Sequence, residues 1–255
     1  MIEIKSQKEI DAMRVSGRLA AETLSLVRRT ICEGMTTDDI NTLVHDFTLS
    51  RSAIPAPLGY RGAGGTLPPF PKSCCTSINH VVCHGIPGKV KLKSGDLVNV
   101  DVTSIYDQFH GDTSATFLIG KVGKDAQRVT EVAERALQMG IEQVKPGARL
   151  GDIGATIQEF VEREGFSVVR EFVGHGIGRK FHTPPQVFHH GTRGTGMRLQ
   201  PGMTFTIEPM VCVGSSEIQI DSDEWTVRTV DGSLSAQWEH TILVTATGYE
   251  ILTQF

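Results

Sequence analysis

Long hydrophobic runs are missing from this chain of 255 residues: no segment approaches the roughly 20 apolar residues that a membrane-spanning helix needs. The opening Met1-Ile2-Glu3-Ile4-Lys5 carries an acid early and no apolar core of signal-peptide length, so a cytoplasmic, membrane-free protein is expected. Cysteine is sparse. The five copies, Cys32, Cys74, Cys75, Cys83 and Cys212, are odd in number and lack paired metal spacing, which argues against a disulfide framework and suits a reducing compartment. Charge of one sign is lacking too: 25 basic residues stand against 29 acidic ones, and a net charge of −4 advertises no face for nucleic acid. With 39% hydrophobic and 21% charged residues, the chain is an ordinary globule able to bury a full core.

What is present is an internal repeat. Leu92-Lys93-Ser94-Gly95-Asp96-Leu97-Val98-Asn99-Val100-Asp101 reads again as Leu199-Gln200-Pro201-Gly202-Met203-Thr204-Phe205-Thr206-Ile207-Glu208, each a turn glycine feeding a β-run that ends in an acid. Ahead of each copy, His84-Gly85-Ile86 recurs as His175-Gly176-Ile177. Two fused halves, about 1–120 and 121–255, within one catalytic domain would explain both echoes.

Five side chains then stand out: Asp101, Asp112, His175, Glu208 and Glu239, each at a strand or strand edge among apolar neighbours. Charges placed there are costly to bury unless something pairs them. Alternation in Val98-Asn99-Val100-Asp101-Val102-Thr103 puts Asn99, Asp101 and Thr103 on one strand face and the valines on the other. The midpoint of Asp101 and Asp112 falls between Tyr106 and Asp107, so a tight hairpin there is expected to set the two acids directly opposite. Like charges so placed repel, which calls for a cation. A single last strand over Ala236–Val244 would carry Gln237, Glu239 and Thr241 to the same pocket. Oxygen-rich donors with one imidazole suit a pair of divalent ions (Co, Mn, Fe(II), Zn or Ni), and paired ions of this kind serve metal-assisted hydrolysis. Such pairs also cleave phosphate esters, so a phosphoesterase stays open at this point.

Ser6-Gln7-Lys8-Glu9 opens a helix, Thr36 or Thr37 caps a second, and two more are expected over about 125–144 and from Asp152 to Gly165. Between them, Gly59 to Pro71 is too rich in glycine and proline for a regular element, and its Tyr60 and Phe70 are candidates for a pocket wall.

The strings Asn79-His80-Val81-Val82-Cys83-His84-Gly85-Ile86-Pro87, Asn99-Val100-Asp101-Val102-Thr103, His110-Gly111-Asp112-Thr113, Gly174-His175-Gly176-Ile177-Gly178, Phe205-Thr206-Ile207-Glu208-Pro209-Met210 and Ser235-Ala236-Gln237-Trp238-Glu239-His240-Thr241 resemble type I methionine aminopeptidases of the bacterial kind over nearly the whole chain. The resemblance implies the α+β pita-bread fold, with an antiparallel sheet flanked by helix pairs, and removal of the initiator methionine from nascent chains when the second residue is small, by attack of a hydroxide bridging two metal ions.

Carried over residue by residue, Asp101, Asp112, His175, Glu208 and Glu239 are implied metal ligands. His84 and His182 are implied non-ligand histidines at the scissile amide and its carbonyl, and Glu208 is an implied proton shuttle. By its surroundings alone His182 reads as a loop histidine. The resemblance maps the methionine pocket onto Tyr60, Phe70, Cys75, Phe181 and Trp225, where thioether to ring contacts are favourable by ~0.3 to 1.5 kcal/mol each. It maps a monovalent cation onto main-chain oxygens of Asn79, Val81 and Ser235. Two departures stand out: Pro57 replaces a common cysteine, and the stretch 63–69 lengthens the pocket loop. A monomer touching ribosomes transiently is the expected state. The same fold serves prolidases, Xaa-Pro aminopeptidases and metal-free binding proteins; the intact pentad disfavours the last.

Overall fold

Ser6 and Glu9 exchange hydrogen bonds across the first turn of α1 (Gln7–Thr30), and Thr36 and Asp39 do the same for α2 (Thr37–Ser50), in a computed structural model that describes residues 2–255. There follow β1 (Ile54–Pro55), β2 (Cys75–Ile78), β3 (Val81–Cys83), β4 (Leu97–Tyr106) and β5 (Phe109–Leu118). A second helix pair, α3 (Lys124–Ile141) and α4 (Leu150–Arg163), leads to β6 (Ser167–Val168), β7 (Gly174–Gly176), β8 (Thr183–Val187), β9 (Thr204–Ile207) and β10 (Met210–Cys212). The chain ends with β11 (Ile218–Ile220), β12 (Val227–Thr229), β13 (Ser235–Gln237), β14 (Glu239–Val244) and β15 (Tyr249–Ile251). Helix α3 stops at Ile141 rather than Val144 because its last turn tightens, with Val144 N–H donating to Ile141 O at 2.9 Å. Helix α4 starts at Leu150, ahead of Asp152, because that carboxylate accepts from Arg149 N–H at 2.8 Å and so sits inside the first turn.

Nine strands form the main antiparallel sheet, in the order β1-β4-β5-β14-β9-β7-β8 with β2 on β4 and β15 on β14. Two three-stranded sheets, β13-β10-β6 and β11-β12-β3, extend from it. The period-two pattern of β4 divides its faces: Val98, Val100 and Val102 are buried in a core with Ala20, Leu24, Val129, Leu137 and Ile153 of the helices, and the acids lie on the other face. This is the pita-bread fold. Both repeat glycines take the turn conformation, Gly95 at φ 104° and Gly202 at φ 88°, with β4 and β9 starting two residues later. The histidine echo is not matched in conformation: His175 lies within β7, whereas His84 follows β3 in the left-handed region at φ 55°.

Two expectations are corrected. The turn of the β4–β5 hairpin is Asp107-Gln108, both at positive φ, so Asp101 pairs with Ser114 and Asp112 with Thr103 rather than with each other. The slip is an even number of residues, which keeps both acids on one face as diagonal neighbours. The strand expected over Ala236–Val244 is two strands in different sheets, broken at Trp238. Pairings β9–β14 and β10–β13 share one register, which sets Glu208 opposite Glu239 and Pro209 opposite Trp238 at the break. Proline has no N–H for a ladder, and side chains replace the ladder at Gln237, whose carbonyl accepts from Asn99 Nδ2 at 2.8 Å and Thr116 Oγ1 at 2.7 Å.

Candidate metal centre and adjoining pocket

The break at Pro209 and Trp238 and the diagonal pair on β4 and β5 lie where the five expected donors share one cavity of about 340 Å³. Donor atoms of Asp112, His175 and Glu239 lie within 4.8 Å of one another. His175 Nε2 stands 3.5 Å from Asp112 Oδ2 and 3.7 Å from Glu208 Oε1. Asp101 lines the same cavity from the next position along its face. Outer contacts aim the acids: Thr103 Oγ1 donates to Asp112 Oδ1 at 2.7 Å, Thr206 Oγ1 to Glu208 Oε1 at 2.6 Å, and Gln237 Nε2 to Glu208 Oε2 at 3.3 Å.

Burial first, then neighbouring carboxylates, hold Asp101 and Glu239 well above the usual carboxylate range. Burial likewise lifts Glu208 to about 7, against the pull of His175 and the Thr206 hydrogen bond. For His175, burial disfavours the charged ring, but Asp112 and Glu208 outweigh it and raise its pKa. His84 and His182 go the other way: burial lowers them to about 4 and about 2, so both rings are neutral.

The rest of the cavity is aromatic and sulfur-lined. Phe70, Cys75 and Trp225 form a buried cluster with Tyr60, Leu67 and Ile86 packed against it. Phe70 meets Trp225 edge-on at 5.2 Å, and Tyr60 lies 4.9 Å from Phe181. The long loop is pinned rather than loose: Gly59 and Tyr60 exchange main-chain hydrogen bonds of 2.8 Å with Phe70, and Pro68 O accepts from Trp225 Nε1 at 2.9 Å. Pro57, Gly62, Ala63 and Leu67 add to the wall. The thiols of Cys75 and Cys83 are pushed well above the usual range by burial and nearby Asp101 or Glu208, which leaves them neutral.

Residues 11–246 match the family model described as metallopeptidase family M24. The chain belongs to metallopeptidase family M24. It is 53% identical to a methionine aminopeptidase of Salmonella typhimurium over 99% of this chain and 94% of that one, and 51% identical to methionine aminopeptidase A of Synechocystis over 99% and 97%. The crystal structure of methionine aminopeptidase from Rickettsia prowazekii superposes with a TM-score of 0.95 at 50% identity, covering 99% of this chain and 100% of that one. A Pyrococcus horikoshii prolidase, 20% identical, shares only the fold, with a TM-score of 0.76 over 98% of this chain and 63% of its own.

The donors fit the divalent metal that an M24 peptidase binds. Among the described residues, four carboxylates and an imidazole meet in a cavity whose lining holds no lysine or arginine, and a bound cation would relieve their mutual repulsion. His182, which sequence context reads as a loop residue, lies just ahead of β8 with its ring centroid 3.9 Å from that of His175 and tilted by 36°. Main-chain oxygen of Asn79 accepts from Ser235 N–H at 2.8 Å, so two of the residues mapped to a monovalent cation are neighbours. Sequence reasoning missed His189, a fully buried ring bonded to Glu208 N–H; a histidine in a polar loop carries no local signal of that.

Proposed function

We propose that this M24 peptidase removes N-terminal methionine from newly made chains when the second residue is small. One observation carries this: the acid cluster and an aromatic, sulfur-lined wall share one cavity, with Cys75 of the wall paired directly to Asp101. Asp101, Asp112, His175, Glu208 and Glu239 would hold two divalent ions, which supply a water activated near neutral pH and polarise a carbonyl.

The protein's own side chains do the rest. Tyr60, Phe70, Cys75, Phe181 and Trp225 receive the methionine side chain, whose thioether suits soft, aromatic walls. That fixes the scissile amide beside His84 and His182. His182, neutral, donates a hydrogen bond from its ring N–H to the carbonyl oxygen as that oxygen gains charge. Glu208 accepts the proton of the attacking water and passes it toward the leaving nitrogen, which His84 steadies. Phe172, edge-on to His84 at 5.4 Å, narrows the space for the second residue.

The same reading takes residues 1–255 as one catalytic domain with two pseudo-equivalent halves, a cytoplasmic monomer that meets ribosomes transiently, with a monovalent ion near Asn79, Val81 and Ser235. Among the described residues no helix is long and apolar enough to cross a membrane. Chelator-stripped enzyme, reloaded anaerobically with each of Mn, Fe(II), Co, Zn and Ni, is to be assayed on methionyl-alanyl-serine and on a phosphate ester. Release of methionine supports the proposal; turnover of the ester alone rejects it.

A further inference from the structure

His189 is fully buried and takes no part in the proposed reaction. Its Nε2 accepts the main-chain N–H of Glu208 at 3.0 Å, while its Nδ1 has no partner. Strand β9 ends at Ile207 and β10 begins at Met210, so the Glu208 N–H lies in the gap between the two ladders. Because Nε2 accepts an N–H it carries no hydrogen, so the ring is neutral with its proton on Nδ1. An imidazole buried with one unmet nitrogen is a cost that ordinary packing would avoid.

The segment that carries this ring is fastened to α4. Gly191 N–H donates to Gln158 Oε1 at 3.1 Å and Gly194 N–H to Asp152 Oδ1 at 2.7 Å. Arg193 grips Glu159 through two nitrogens at 3.1 and 2.6 Å. At Gly154 the approach is so close that an added Cβ would stand 2.6 Å from Phe188 O. Helix α4 thus serves as a base from which one ring reaches the bend.

We propose that His189 is a positioning residue of the metal centre: by capturing the Glu208 N–H it fixes the backbone from which the Glu208 carboxylate reaches in, and so sets the affinity for the divalent cation. The proposal rests on the reading of Glu208 as a ligand. The remaining Glu208 contacts, from Thr206 and Gln237, hold only its carboxylate oxygens and leave the main chain to His189.

The test is calorimetric titration of chelator-stripped wild type, H189L, H189Q and E208A with manganese chloride, alongside thermal unfolding of each metal-free form. H189L is expected to weaken manganese binding about 10- to 100-fold. H189Q, whose Oε1 reaches the position of Nε2 and accepts the same N–H, is expected to recover most of the loss, which a simple packing role would not produce. If E208A binds manganese like wild type, the ligand reading of Glu208 fails. If E208A loses binding while folded H189L keeps wild-type affinity, the role of His189 is overturned. Should H189L not fold, ring ¹⁵N spectra of wild type decide: a bare Nε2 with protonated Nδ1 upholds the proposal, and a proton on Nε2 refutes it.

Discussion

The Tyr60 hydroxyl lies 2.7 Å from Nδ1 of His182, with the two rings stacked at 15°. Burial, then Asp112, pushes the phenol up to about 12, so it stays protonated and donates to the neutral imidazole. That leaves the ring proton of His182 on Nε2, the tautomer that donating to a carbonyl requires. Tyr60→Phe keeps the aromatic wall and removes only the donor. It is expected to lower kcat about tenfold, ~1.4 kcal/mol and the size of one hydrogen bond, with KM for methionyl peptides nearly unchanged. A rise in KM with kcat intact, measured by steady-state kinetics, would assign Tyr60 to the pocket alone.

Cation uptake should be proton-linked, and the direction follows from the shifts. Glu208 at about 7, Asp101 and Glu239 higher than ordinary carboxylates, and a raised His175 all hold protons that a cation must displace. Affinity is therefore expected to strengthen as pH rises between roughly 5 and 8, with protons released on binding. Calorimetry in buffers of different ionisation enthalpy reads the protons directly; uptake instead of release would contradict the arrangement.

How much of this was legible differs by residue. Asp101 and Asp112 were readable because alternation in β4 is a local, period-two signal. Their register was not, because a turn at Asp107-Gln108 takes positive φ without the glycine that usually announces it. Glu239 was placed in a strand that in fact begins with it, and the break before it at Trp238 was not legible, since side chains of Asn99 and Thr116, more than a hundred residues away in sequence, take up the carbonyl of Gln237 there. His182 and His189 depend wholly on tertiary neighbours, which no local pattern encodes. Tyr60 and Phe70 were legible as candidates for a pocket wall from the composition of their loop, but what holds the loop in place was not, because it lies in main-chain bonds of Gly59 and Tyr60 to Phe70.

Phe70 is 2% exposed and packs edge-on to Trp225, so Phe70→Ala opens a cavity in the wall of the proposed methionine pocket. A loss of ~3 to 5 kcal/mol in stability is expected, together with a higher KM for methionyl substrates and a smaller change in kcat. Trp225→Phe, which keeps an aromatic ring but loses the bond to Pro68 O and part of the buried indole, should cost about 1 to 3 kcal/mol. Denaturant unfolding and peptide kinetics on the same preparations separate the two effects.

Gly111 sits directly before Asp112 on β5 and touches the backbone of α1, where an added Cβ would stand 2.5 Å from both Gly17 Cα and Ser16 C. Backbone cannot swing aside as a side-chain tip does, so Gly111→Ala must push α1 off the sheet or twist β5. Overpacking of this kind typically costs ~1 to 3 kcal/mol, and at roughly 2 to 4 °C per kcal/mol for a chain near this length the melting temperature should fall by several degrees. Because the strain lands one residue from Asp112, manganese affinity should fall as well. Gly248→Ala is the matched control, with nothing within 4 Å of the new Cβ, and should stay within about 0.5 kcal/mol of wild type. Equal melting temperatures for the two variants would mean that α1 and β5 separate at no cost, contrary to the contact on which the placement of Asp112 depends.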